Sequence, residues 1–235
     1  LNQYNQPQSF VRNDVTWAAS DRHQFDFGGF FYNYVEDTTG EYAYTYTDDW
    51  AETSSQVTVN VELESVIRLG GIYAKDIVQL TPRASLESGL RLSMSKIESN
   101  AIRSYLQPRL TFVYSLSDKT TFKTYAGTYR QILQESNSEM QDDGSLVATI
   151  PDLNMEQSAQ YGVGFETYFG ENMLFKSELY RKDYTELLIN EADDPETIYS
   201  NNGKGYAKGI EVMLQKLEGG KRHGWLSYTL SETRK

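Results

Sequence analysis

The side chains of this chain that could do chemistry come at every second position. Arg91 lies between Leu90 and Leu92, Arg109 precedes Leu110, and Lys176, Glu178 and Lys182 alternate with Phe175 and Leu179. Glu87, Lys123, Glu166 and Glu211 stand in the same phase to their apolar neighbours. Charge at period two lines one face of a strand, whereas a helix would gather it at every third or fourth residue. Such a face can line a water-filled channel, pair with a domain packed inside a barrel, or meet solvent. In a membrane it cannot be the lipid face, because an arginine at the bilayer midplane costs about 2–4 kcal/mol.

Other reactive constellations are sparse. His23 and His223 fall at expected short turns, far apart in sequence, and read as surface residues. There is no GxSxG, HExxH or Walker sequence, and the glycines of GKGYAKG (203–209) have the wrong spacing for a phosphate loop. Gly205 and Gly209 instead suit a crowded strand or a close backbone approach. The absence of cysteine removes disulfides, thiol catalysis and Cys-based metal sites. The pairs Asp48–Asp49, Asp142–Asp143 and Asp193–Asp194 invite calcium but lack the spaced D-x-D-x-D-G loop, and solvated loop charge is the better reading. No catalytic residue, metal or cofactor is expected. The net charge of −11, from 22 basic and 33 acidic residues, makes nucleic acid a poor partner. The remaining local candidate is EYAYTYTDDW (41–50), where Tyr42, Tyr44, Tyr46 and Trp50 could stack on a bound ligand. The plainer reading is that Tyr42, Tyr44 and Tyr46 extend a hairpin above the membrane and pack against each other.

The elements that carry these residues read as strands. Period-two alternation predicts about ten, over 9–19, 23–35, 66–80, 84–96, 105–116, 120–131, 157–169, 173–188, 204–217 and 223–231. Several hold alternation for 11 residues or more, against about 5–6 for an average soluble strand and roughly 9–11 for one that crosses a bilayer. The links alternate in length. Turn-like links lie at 20–23, 80–83, 116–119, 169–172 and 218–224, and long polar links at 36–65, 131–156 and 189–203. Short turns at one end and long loops at the other describe an outer-membrane β-barrel. No stretch of 18 apolar residues offers a transmembrane helix. The 18 tyrosines fit both strands and membrane–water interfaces. A tyrosine-rich soluble β-sandwich or adhesin, with its charged face in water, is the reading from another class; a passive porin is a third.

IYAKDIVQLTPRASLESGLRLSMS (72–95), LQPRLTFVYSLSDKTTFKTYAGTYRQ (106–131), SAQYGVGFETYFGENMLFKSELYRKDYTELL (158–188), NNGKGYAKGIEVMLQK (201–216) and GWLSYTLSETRK (224–235) together resemble the barrel of TonB-dependent outer-membrane receptors, in that family's order. The resemblance covers roughly residues 66–235; the first sixty-odd match only in character. It implies a barrel of about 22 strands occluded by a plug domain. It also implies energy-coupled import of a scarce ligand, a ferric siderophore or other metal chelate being the commonest cargo. The implied partners are outer-membrane lipid, the receptor's own plug, the inner-membrane TonB complex and, for a glycan or peptide importer, a surface lipoprotein. No plug or energy-coupling peptide is seen in the sequence, and 1–235 is expected to be a partial barrel domain cut from something longer. The expectation is therefore an all-β, antiparallel transmembrane barrel wall acting as a transporter in the outer membrane, not an enzyme. Its apolar faces, such as Leu90, Leu92 and Met94, would meet lipid. Its charged faces would meet a plug or channel.

Overall fold

Each of the ten period-two segments corresponds to one strand in the computed structural model of the chain. The structure describes all residues except 1–2, 6–7, 49–52, 98–100, 133–136, 141–144, 150, 171, 193–197 and 218–222, and gives the backbone alone for 3–5, 36–48, 53–65, 138, 140 and 145–149. The strands are β1 (Gln3–Asn5), β2 (Gln8–Ala18), β3 (His23–Asp48), β4 (Thr53–Thr81), β5 (Ala84–Ile97), β6 (Arg103–Ser117), β7 (Thr120–Gln131), β8 (Asn137–Met140), β9 (Ser145–Thr149), β10 (Glu156–Phe169), β11 (Met173–Asn190), β12 (Tyr199–Lys216) and β13 (Gly224–Arg234). There is no helix among the described residues. The ten long strands form one antiparallel sheet in chain order, β2-β3-β4-β5-β6-β7-β10-β11-β12-β13, with β1 beside the far part of β3. Among the described residues nothing pairs β13 with β2, so the sheet is a partial barrel wall.

The links differ from expectation. Residues 36–65 are for the most part the paired upper arm of the β3–β4 hairpin, with Tyr42 opposite Val59, Tyr44 opposite Val57 and Tyr46 opposite Ser55. Acidic and hydroxyl side chains give this stretch a loop-like composition, yet its Tyr and Val residues keep period two, and both types favour strands. Within 131–156, β8 and β9 form a small hairpin, and β9 runs parallel to β4 at Thr58–Asn60. β11 and β12 likewise extend into 189–203.

Register gives the strand tilt. One ladder row joins Trp17, Phe25, Asp76, Ser88, Leu110, Ala126 and Tyr161. Trp17 is one residue from the end of β2, whereas Tyr161 is eight from the end of β10. That is about 23 Å of slip over roughly 29 Å of sheet width at ordinary strand spacings, a tilt of about 40°. Closed barrels require strands inclined by about 35–45°.

The two faces are inverted relative to a soluble protein. Leu90, Leu106, Leu110, Leu179, Leu226 and Leu230 are all exposed, while Ser93, Ser95 and Gln107 on the opposite face are buried. A soluble β-sandwich needs a second sheet over its apolar face, and the described strands form a single sheet with that face bare among the described residues. The sandwich reading is therefore set aside. Lipid is the solvent in which such a face is stable. On the polar face, glycine makes room for rings. A Cβ on Gly162 would lie 2.7 Å from the Tyr125 ring and 2.8 Å from the Leu179 carbonyl oxygen. The ring can thus cross β10 and reach β11.

Candidate functional site

The polar face brings the charged set together. Cross-strand register puts Glu87, Arg91, Arg109, Lys123, Glu166, Lys176, Glu178, Lys182 and Glu211 on one side of the sheet. Nearest the short turns, Lys176 pairs with Glu166 at 2.7 Å, and the Tyr125 hydroxyl donates to Glu178 at 2.7 Å across Gly162. Glu178 and Glu211 are direct register partners. Like charges so placed repel each other, and Glu211 has no ion pair among the described residues. A hollow of about 510 Å³ opens here, lined by Lys123, Glu166, Lys176, Glu178 and Glu211.

Higher on the wall, Lys75 bridges Asp26 at 3.0 Å and Glu87 at 3.7 Å. The Tyr73 hydroxyl donates to Asp14 across Gly28, and Arg12 holds the same carboxylate. Arg91 and Arg109 take no carboxylate among the described residues; aromatic rings hold them instead. Arg91 lies 4.6 Å over the Phe30 ring and donates from Nε to the Ser93 hydroxyl at 3.0 Å. Arg109 lies 4.3 Å over Tyr129, with its Nε buried and unpartnered. Lys182 and Lys123 lie 5.2 and 5.9 Å over Tyr180 and Tyr125. A cation over an aromatic face is stabilised by about 0.5–2 kcal/mol and keeps hydrogen-bond donors free. The wall thus presents cations that can still accept an anionic partner.

Towards the long-loop end, a strap at 151–155 is stitched to the wall. Gln107 donates from Nε2 to the Ser93 hydroxyl at 2.8 Å and accepts from the Arg130 amide at 3.1 Å. Arg130 donates to the Met155 carbonyl at 2.8 Å, pairs with Glu186 and lies 4.8 Å over the Tyr105 ring. Arg103 holds Asp152 at 2.7 Å and also bonds Asn154. Asn201 accepts from the Asn154 amide at 2.6 Å and donates to the Glu186 carbonyl at 3.0 Å. Glu186 sits at a bulge in β11 with φ of 56°, which turns its side chain out of the strand's alternation.

The sequence missed this upper cluster. Arg130 has the parity of the apolar face. However, the β6–β7 ladder ends at Arg109–Gly127, and above it Gln107 fills the gap and Arg130 turns back over Tyr105. Period two carries no signal for a strand that parts from its neighbour. Lys75, Asp26 and Tyr73, in contrast, follow the charged phase and could have been found by extending it. Of the aromatic candidates, Tyr42, Tyr44 and Tyr46 lie in the arm of β3, and Trp50 is outside the described residues. No group of three or more His, Cys, Asp or Glu residues that could hold a metal occurs among the described residues.

Residues 1–235 match the family model described as TonB dependent receptor-like, beta-barrel. No curated protein matches the chain. Several solved structures share its fold. The apoprotein form of the FrpB iron transporter from Neisseria meningitidis is similar at a TM-score of 0.74 and 13% identity, over 99% of this chain and 37% of that one. The ferric-catecholate import receptor Fiu from E. coli K12 is similar at 0.65 and 14%, over 98% and 39%. The RagAB peptide importer is similar at 0.65 and 15%, over 99% and 30%. This chain therefore spans about a third of the length of these proteins.

Proposed function

The chain belongs to the TonB-dependent receptor β-barrel family, and from that premise we propose that it is part of the wall of an outer-membrane receptor for a ferric siderophore or other metal chelate. The family comprises outer-membrane transporters and receptors of Gram-negative bacteria, not enzymes. The observation that carries the reading is the inverted sheet: a bare apolar face on one side, a charged and hydrogen-bonded face on the other. In this reading uptake draws energy from the inner-membrane TonB complex through a plug that docks on the polar face. The opposed carboxylates Glu178 and Glu211 call for cations from that plug, and Arg91 and Arg109 call for anions. Tyr42, Tyr44, Tyr46 and Trp50 are proposed ligand contacts at the outer end. The likeness to iron and ferric-catecholate importers favours a metal chelate as cargo. The likeness to RagAB favours a second reading, a peptide or glycan importer with a surface lipoprotein partner.

Uptake by whole cells separates these readings. Cells under iron limitation are supplied with ferric chelates labelled with radioactive iron, with and without the full-length receptor gene and with and without a working energy-coupling complex. At least one chelate is expected to accumulate only when both are present. Equal accumulation in all strains, with peptide or glycan uptake lost instead, would establish the second reading.

A further inference from the structure

The apolar face of the sheet carries one feature that a plain lipid contact leaves unexplained. On β10–β13 a groove of about 790 Å³ opens towards the membrane, walled by Val163, Leu179, Ile210 and Leu230. One row above, on the same face, Arg181 and Lys208 are direct register partners. Like charges directly opposite each other on a sheet are destabilising unless an anion lies between them. Both side chains converge on one ring, the Arg181 guanidinium 5.5 Å and the Lys208 ammonium 5.4 Å from the centre of Tyr206. Each already holds one carboxylate, Arg181 with Asp183 at 2.8 Å and Lys208 with Glu232 at 3.1 Å. Donors remain beyond those bonds. Arg181 reaches Asp183 through Nε and Nη2, leaving Nη1, and the Lys208 ammonium has three protons. Arg234, which shares Glu232 at 3.1 Å, leaves three cations facing two carboxylates among the described residues. Both Arg181 and Lys208 side chains are about half exposed.

Height fixes what can reach this notch. Lys208 stands eight residues above the end of β12. At a tilt of about 40° that places it about 20 Å above the turns, near the upper rim of an apolar band about 25 Å tall. The groove runs from there down into the band. The geometry points to a binding site for one phosphate-bearing lipid of the outer leaflet, its phosphate between Arg181 and Lys208 and one acyl chain laid along Val163, Leu179, Ile210 and Leu230. The site rests on the reading of this face as lipid-facing. A neutral lipid would leave the spare donors of Arg181 and Lys208 without an anion, and a free phosphate would leave the groove unfilled.

The test uses the full-length receptor purified in neutral detergent, with bound lipid counted by native mass spectrometry as phosphatidylglycerol is titrated. Diacylglycerol supplies the chains without the phosphate, and inorganic phosphate supplies the anion without the chains. The double substitution Arg181→Gln with Lys208→Gln is expected to weaken phosphatidylglycerol retention about 25-fold, since each cation near a lipid surface contributes about 1 kcal/mol, or about fivefold. Arg181→Lys is expected to retain it. Should the double substitution prevent folding, the single substitutions read the same loss at about fivefold each. The proposal is overturned if the substituted receptor retains the lipid as the parent does. It is equally overturned if diacylglycerol is held as tightly, or if millimolar inorganic phosphate displaces the lipid completely. Heat-modifiable gel mobility of the same samples separates the two levels of reading: its absence in the parent receptor would overturn the barrel itself.

Discussion

Leu90→Arg is expected to destabilise the full-length receptor in lipid vesicles by about 2–4 kcal/mol, read as a lower denaturant midpoint for loss of heat-modifiable mobility. Leu90 is 47% exposed, and in water so exposed a position would tolerate arginine within about 0.5 kcal/mol. The difference between those numbers measures the solvent on that face. The matched substitution is Thr111→Arg. Thr111 faces the other way, as the register partner of Glu87, so an added guanidinium there gains a carboxylate neighbour. Its cost should stay below about 1 kcal/mol. If the two substitutions cost the same, the assignment of faces fails.

Arg130→Met is expected to cost about 3 kcal/mol and to release the strap at 151–155. Removing one partner of a partly buried ion pair leaves the Glu186 charge uncompensated, and the side chains of Arg130 and Glu186 are 15% and 35% exposed. Three connections go at once: the pair with Glu186, the bond to the Met155 carbonyl and the stack on Tyr105. Hydrogen exchange reads the release. The Met155 amide, which donates to the Tyr105 hydroxyl at 3.2 Å, and the Asn154 amide on Asn201 should lose protection, while the amides of β5 keep theirs. Unchanged exchange at 154 and 155 would show that Arg103 and Asn201 hold the strap without Arg130.

The face assignment was legible in the sequence because it depends only on parity. Once Leu90 and Leu110 were set against Arg91 and Arg109, antiparallel pairing carried the same parity from β2 to β13. The glycines were partly legible. Gly209 lies under the Tyr180 hydroxyl, where a Cβ would meet it at 2.9 Å, which is the close approach that glycine in a strand suggests. The β3–β4 arm was obscured because acidic and hydroxyl residues outweighed a period-two Tyr and Val pattern that is present at 42–46 and 57–61. The strap was illegible for a different reason. Its partners, Arg103, Arg130, Glu186 and Asn201, are contributed by four strands where ladder and alternation break down, and only tertiary geometry assembles them. The lipid notch combines both cases: Leu179 and Ile210 follow the apolar phase, but the opposition of Arg181 to Lys208 is a matter of register.

The central claim is that one side of this sheet is solvated by lipid and the other is not. The chain contributes no cysteine of its own; single cysteine substitutions from Gly89 to Met94 in the full-length receptor, with any cysteine outside residues 1–235 replaced by serine and each carrying a nitroxide, report on it directly in vesicles. Collisions with dissolved oxygen, which concentrates in hydrocarbon, should be frequent at positions 90, 92 and 94 and rare at 89, 91 and 93, an alternation with period two. Uniform collision rates along the strand, or the opposite phase, would contradict it.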